Sequence, residues 1–162
     1  MREIKLKSLI LVNFKGVRNL EVVFTDQRTI ISGDNGTGKT TIFDAFTWLL
    51  FGKDSTGRSD SNFNIKTIDP LTKKPILHLK HSVTGVISVD GKEMKLQRNY
   101  VEKWVKPRGT TEETLKNHET EFYLNDVKLA TKKEYESEVA AILTEDIFRM
   151  ITNPFYFISL KV

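Results

Sequence analysis

The chain has 162 residues, 39% of them hydrophobic and 28% charged, with a net charge of +4 at neutral pH and no cysteine. That length and composition describe one domain able to bury a core, and the lack of cysteine excludes disulfides, thiolate metal sites and cysteine nucleophiles. A charged start and no apolar run near the roughly 18 residues of a membrane span give no sign of export or insertion, so a cytoplasmic protein is expected, with a mild positive charge that permits nucleic-acid contact.

Residues 3 to 24 read as an antiparallel strand pair. Ile4, Leu6, Ile10 and Val12 share one parity, and Asn13-Phe14-Lys15-Gly16 turns the chain into Leu20 to Phe24. Arg28 to Ser32 reads as a buried strand. Gly33-Asp34-Asn35-Gly36-Thr37-Gly38-Lys39-Thr40 then completes the phosphate-binding pattern G-x-x-x-x-G-K-[ST], and Thr41 to Phe51 reads as a helix with Ile42, Ala45, Phe46 and Leu49 on one face. Gly36 and Gly38 lack a β-carbon, so the backbone can turn its N–H groups toward phosphate oxygens, and the helix start adds partial positive charge. Lys39 supplies a point charge for the β- and γ-phosphates, the Thr40 hydroxyl can ligate Mg²⁺, and Thr41 can bond the α-phosphate.

Gly52 to Asn64 reads as a long surface loop, in which Lys53 and Arg58 are expected to be solvated. Val83–Val89 and Glu93–Val105 flank the hairpin signal Asp90-Gly91. Lys106 to Asn117 breaks the pattern, and Glu121 to Leu129 returns to strand with a turn at Asn125-Asp126. Lys132 to Leu143 is helical, with Tyr135, Val139 and Ile142 on one stripe. A short helix over Glu145 to Ile151 stops at Asn153-Pro154. Phe155 to Val162 is apolar and starts a new element, so the chain is expected to end inside a fold.

Lys103, Lys106 and Arg108 beside Trp104 could form a DNA-backbone patch with a stacking aromatic, although Trp104 also fits a core position. His78 and His81, read on a strand, would face opposite ways and so not share a metal. Asp44 is assigned a structural pairing in preference to Mg²⁺ support. Arg98 and Tyr100 read as packing and surface positions.

A guanine-reading Asn-Lys-x-Asp is absent, and so is a run of four apolar residues ending in Asp-Glu that would activate water. Val86 to Asp90 is better explained by the hairpin. The composite of Asn13-Phe14-Lys15-Gly16, the phosphate loop, Ile42-Phe43-Asp44-Ala45-Phe46 and Leu49-Leu50-Phe51-Gly52 resembles the amino-terminal lobe of the ABC-type ATPase heads of the chromosome-maintenance and double-strand-break-repair ATPases. The resemblance runs over essentially the whole chain and is looser in the second half. It implies an α/β P-loop NTPase lobe with mixed or antiparallel strands around the loop helix, with residues 1–162 forming a single, incomplete lobe.

By that resemblance, Lys15 reaches the nucleotide, and Asn35, Gly36, Thr37, Gly38, Lys39, Thr40 and Thr41 hold ATP and Mg²⁺. Ile65-Lys66-Thr67 passes near adenine and ribose, and the resemblance also gives Lys53 and Arg58 an approach to DNA from the head surface as the rival to a solvated loop. Asn153 falls near the family's γ-phosphate-sensing glutamine, with Asn-Pro in place of Gln-Gly. The family's Ser-Gly-Gly signature, Asp-Glu pair and switch histidine, which follow a long coiled coil, are not in this sequence. The resemblance further implies a second lobe and a dimer of heads that sandwiches ATP, with DNA and a nuclease as partners of the parent. The rival reading is a nucleotide-regulated interaction module without catalysis.

Overall fold

The computed structural model describes residues 2–34, 36, 38–59 and 64–153. Their elements are β1 (Ile4–Phe14), β2 (Val17–Val23), α1 (Lys39–Phe51), β3 (His81–Val89), β4 (Lys92–Val105), β5 (Thr114–Leu124), β6 (Val127–Lys128), α2 (Lys132–Ile142) and α3 (Glu145–Thr152). The strands make one antiparallel sheet in the order β2-β1-β3-β4-β5-β6. Among the described residues no helix is long and apolar enough to cross a membrane.

Three two-residue hairpins set the registers. Lys15-Gly16, Asp90-Gly91 and Asn125-Asp126 have φ values of 49 and 90, 50 and 83, and 48 and 67 degrees. Positive φ at both central residues gives the turn whose twist matches that of the flanking strands. The expected turns at Asp90-Gly91 and Asn125-Asp126 are therefore present. β5 starts at Thr114, seven residues before the expected Glu121, because Thr114 to Glu119 pair with the end of β4 despite their polar composition.

Parity along β1 differs from the expectation. A bulge opposite β3 between Leu6 and Ser8 adds one residue, so Leu9 and Leu11, both fully buried, face the core in place of Ile10 and Val12. Arg28 to Ser32 forms no strand: Ile30 is 71% exposed and no described strand lies beside it, so its backbone groups have no ladder to join.

The core lies between the sheet and the helices. Trp48 and Leu49 of α1 pack with Leu9, Leu11, Phe14 and Val83, and Phe14 and Trp48 have ring centroids 5.4 Å apart. Gly85 permits this approach, since a β-carbon there would stand 2.6 Å from Leu49 Cδ2. Gly52 closes α1 in left-handed geometry, its N–H donating to Trp48 O at 2.9 Å. α2 buries Tyr135, Val139 and Ile142, the expected stripe, and α3 inserts Phe148 among Phe43, Phe46 and Phe51.

Arg98 is a packing position: it is 1% exposed, with its guanidinium 5.4, 5.0 and 5.1 Å from the ring centroids of Trp48, Phe122 and Tyr135. Three aromatic faces around one cation offset part of its desolvation. Burial pushes the Tyr135 hydroxyl up to about 12, with the Arg98 charge pulling the other way, so Tyr135 stays protonated. That hydroxyl donates to Leu49 O at 2.8 Å, satisfying a carbonyl in the last turn of α1.

Tyr135→Phe leaves that buried carbonyl without its donor. The expected loss is about 1–3 kcal/mol in urea unfolding with unchanged slope; a loss below ~0.5 kcal/mol would contradict this role of the hydroxyl.

Candidate nucleotide-binding site

The start of α1 differs from those of α2 and α3. The latter are capped by Thr131 and Thr144, whose side chains accept backbone N–H bonds. At α1 the N-cap is Gly38, with φ 95 degrees, no side-chain cap bond and no acidic residue in the first turn. Gly36 is also left-handed, at 84 degrees, a conformation that glycine adopts at little cost. The helix start thus presents amide donors and the positive end of the helix dipole without a side chain to neutralise them.

Lys39 folds back on the loop, its ammonium donating to the carbonyls of Gly33 and Asp34, the latter at 2.8 Å. It therefore lies against the carbonyls at the start of the loop. Thr40 is exposed and Thr41 half-buried one turn from Gly38. Asn35 and Thr37, also expected to contact phosphate, lie outside the described residues, as do residues 60–63 and the segment from Pro154 to Val162.

Lys15 reaches the same region from the β1–β2 turn. The start of β2 sits against the loop, with Val17 Cγ2 3.7 Å from where a β-carbon on Gly38 would lie. Lys15 holds left-handed backbone, unusual for a long side chain, and its N–H donates to Ile65 O at 2.9 Å. Around it, Thr67 Oγ1 and the His81 ring Nδ1 bond Asn13 O at 3.1 and 2.7 Å, and Asn13 Nδ2 donates to Lys80 O at 3.0 Å. These bonds join the turn to Ile65–Thr67 and to the start of β3.

Asp44 clamps the site from below. It is 4% exposed; one oxygen meets Lys15 Nζ at 2.5 Å and the other accepts from Ser55 N and Oγ at 2.9 and 2.5 Å. The carboxylate thus has the expected structural role, and its link to Ser55 was not visible in the sequence. The described part of the segment after α1 is a folded turn at the surface, with Thr56, Arg58 and Ser59 exposed. Lys53 bridges to Ser59, Lys53 Nζ pairs with Glu145 at 2.8 Å, and Arg58 pairs with Asp54 at 2.7 Å. These pairings occupy the two cations expected to be solvated or near DNA.

Lys66 is 8% exposed and pairs with the buried Glu102, so its charge serves an internal bridge beside the expected adenine position. His78 lies ahead of β3 in left-handed backbone, so the argument from opposite strand faces does not apply to it; among the described residues no group of side chains is placed to hold a metal. Asn153 caps the end of α3 and lines a 240 Å³ cavity with Thr47, Ser55, Thr56, Arg149 and Thr152. Among the described residues, those of the phosphate loop do not line that cavity.

Comparisons with known proteins bear on the family and the fold. The model of the AAA domain family matches residues 8–157. The DNA double-strand break repair Rad50 ATPase of Methanocaldococcus jannaschii is 35% identical over 95 residues, covering 59% of this chain and 8% of that protein. The DNA replication and repair protein RecF of Clostridioides difficile is 45% identical over 49 residues, covering 30% of this chain and 13% of that protein. The matched stretch is thus a small part of either relative. A structure of the recombination mediator protein RecF with ATP matches with a TM-score of 0.52 and 18% identity, covering 83% of this chain and 31% of that one. A second, with ATPrS, gives 0.55 and 19%, covering 82% and 29%. At these identities the structural likeness shows the fold alone, a mixed α/β lobe built on an antiparallel sheet.

Asp54 makes the turn after α1 sensitive to acid. Burial raises its carboxyl, but bonds from the Thr56 hydroxyl, the Arg58 side chain and both backbone N–H groups outweigh burial and lower it from 3.8 to about 2. A folded value below the unfolded one stabilises above about pH 4, and that contribution disappears as pH falls through 2. Over that window the wild type should lose on the order of 2 kcal/mol more than Asp54→Asn in urea unfolding; equal losses would refute the assignment.

Proposed function

The chain belongs to the AAA domain family, and from that premise we propose that it is the ATP-binding half of an ATPase head in DNA repair and recombination, completed by a second lobe and a second head. The observation that carries this reading is the start of α1: two left-handed glycines, no side-chain cap, no acidic residue in the first turn, and the Lys39 ammonium over the loop carbonyls. The printed names of the relatives, a double-strand break repair ATPase and a replication and repair protein, support the biological setting.

ATP with Mg²⁺ would supply the anhydride that is cleaved. Gly36 and Gly38 present their amides to the triphosphate, together with Asn35 and Thr37 from the same loop. Lys39 exchanges its loop carbonyls for phosphate oxygens, Thr40 would hold Mg²⁺, and Thr41 bonds the α-phosphate. Lys15 stands beside the loop as a second cation, held by Asp44. Asn153, at the end of α3, is the residue we assign to sensing the metal and γ-phosphate side. The fit is chemical: amide donors, a primary ammonium and a hydroxyl suit an oxyanion and a hard cation.

Asp44, the buried carboxylate beside the loop, is occupied by Lys15 and Ser55 and is not placed to activate water. The chain is therefore assigned binding, and hydrolysis is assigned to the assembled head. The exposed Ile30 and Ile31, ahead of the loop, are surfaces that a second lobe would cover. In the parent, ATP would join two heads, and hydrolysis would release them. DNA, a nuclease and a cytoplasmic setting belong to the same proposal.

The test is titration of the protein with Mg·ATP by calorimetry, with thermal unfolding without ATP as the control for folding. Lys39→Ala should weaken binding about tenfold or more, the loss of one charge-assisted contact. Unchanged affinity in a folded variant would remove the reading and leave the interaction module. The isolated chain should show no steady turnover; turnover not raised by the rest of the parent protein would contradict the division of labour.

A further inference from the structure

The end of β4 carries an aromatic pair that the nucleotide site does not use. The rings of His78 and Trp104 stack with centroids 4.2 Å apart and planes 15 degrees from parallel. Both are anchored on one buried carboxylate: Glu102 Oε2 accepts from His78 N–H at 2.9 Å and Trp104 Nε1–H at 3.0 Å, while its other oxygen holds Lys66. The Glu102 side chain is only 4% exposed. His78 is nevertheless exposed and sits at φ 60 degrees, a conformation that costs a non-glycine residue free energy. Neither ring belongs to the hydrophobic core, so core packing does not account for the pair.

The rings border an open cleft of 280 Å³, lined by His78, Leu79, Lys80, Val101, Glu102 and Trp104. Lys80 lines it and is exposed, and Lys106 and Arg108 are exposed just past the end of β4 at Val105, Arg108 in the turn that follows. None of the three forms an ion pair among the described residues, whereas Lys103 is held by Glu119 at 2.9 Å. The carboxylate in the cleft is already saturated by its three donors. A rigid ring face with cations around it suits a flat π-system carrying negative charge.

We propose that this cleft seats an unpaired base of single-stranded DNA, stacked on the His78–Trp104 pair with its phosphates on Lys80, Lys106 and Arg108. A duplex keeps its base faces stacked internally and cannot offer one to this platform, so the seat selects single strands. The inference rests on the proposed DNA role for the choice of polymer and is independent of the phosphate loop.

Of the chain's two tryptophans, Trp48 is fully buried, so quenching by a polymer reports on Trp104. The protein is titrated without ATP against an oligothymidylate of about ten nucleotides, a length typical of one such site. Saturable quenching that weakens with salt is expected, and His78→Asn, which tolerates left-handed backbone without a fused aromatic surface, should weaken binding about tenfold while leaving ATP affinity unchanged. A duplex of equal length should bind more weakly and quench less. Absence of quenching, equal quenching by duplex, an unaltered His78→Asn variant, or quenching by ATP alone would each overturn the proposal. Loss of the ATP reading through Lys39→Ala would leave it standing.

Discussion

The structure depends on one arrangement: α1 is fixed in the core by its middle and C-terminal turns while its first turn is left electrostatically unfinished. Trp48 and Leu49 are fully buried against the sheet, and Gly85 clears the space they need. Tyr135 and Gly52 then close the carbonyl end. A glycine N-cap such as Gly38 costs only about a few tenths of a kcal/mol relative to a good side-chain cap, and it leaves the first-turn amides without a side-chain acceptor. Here packing further along the helix holds it in place, so the amides at Gly38 and beyond are directed outward at a fixed position. Preorganisation of this kind is what an anion site needs, because donors already aligned lose little freedom on binding.

The same helix reads the surroundings of that site through Asp44. One carboxylate joins the β1–β2 turn through Lys15 and the turn after α1 through Ser55. The second turn is held by Asp54, and its Gly57 abuts Arg149 of α3, which pairs with Glu145. A cation drawn from Asp44 toward phosphate would therefore leave a buried carboxylate with one partner fewer, and that imbalance would be felt at Ser55. Buried ion pairs are costly to break for this reason.

Much of this was legible in the sequence, and the misses share a cause. The phosphate loop, the helix after it, the Asp90-Gly91 hairpin and the Tyr135, Val139, Ile142 stripe rest on local rules of spacing and backbone conformation, which the chain obeys. The bulge at Lys7, which turns Leu9 and Leu11 inward, is a property of the pairing with β3 and leaves no periodic mark. Arg28 to Ser32 has strand composition, but strands need partners, and local propensity cannot supply one. The aromatic cage of Arg98 left no mark in the sequence, because it draws on α1, β5 and α2, distant in the chain, and arginine is rarely buried. Asp54 and Glu102 were likewise invisible, since a saturated carboxylate is recognised only by the donors brought to it. The roles of Ser55 and His78 come from the fold alone.

The central claim is that the backbone amides at the start of α1 grip a triphosphate. Amide NMR of the isotope-labelled protein titrated with Mg·ATP tests it at the atoms concerned. The account predicts that the largest shifts fall on the amides of Gly36, Gly38, Lys39, Thr40 and Thr41, with smaller ones at Lys15. Saturable shifts confined to other parts of the sheet, or none at concentrations that saturate the parent protein, would contradict it.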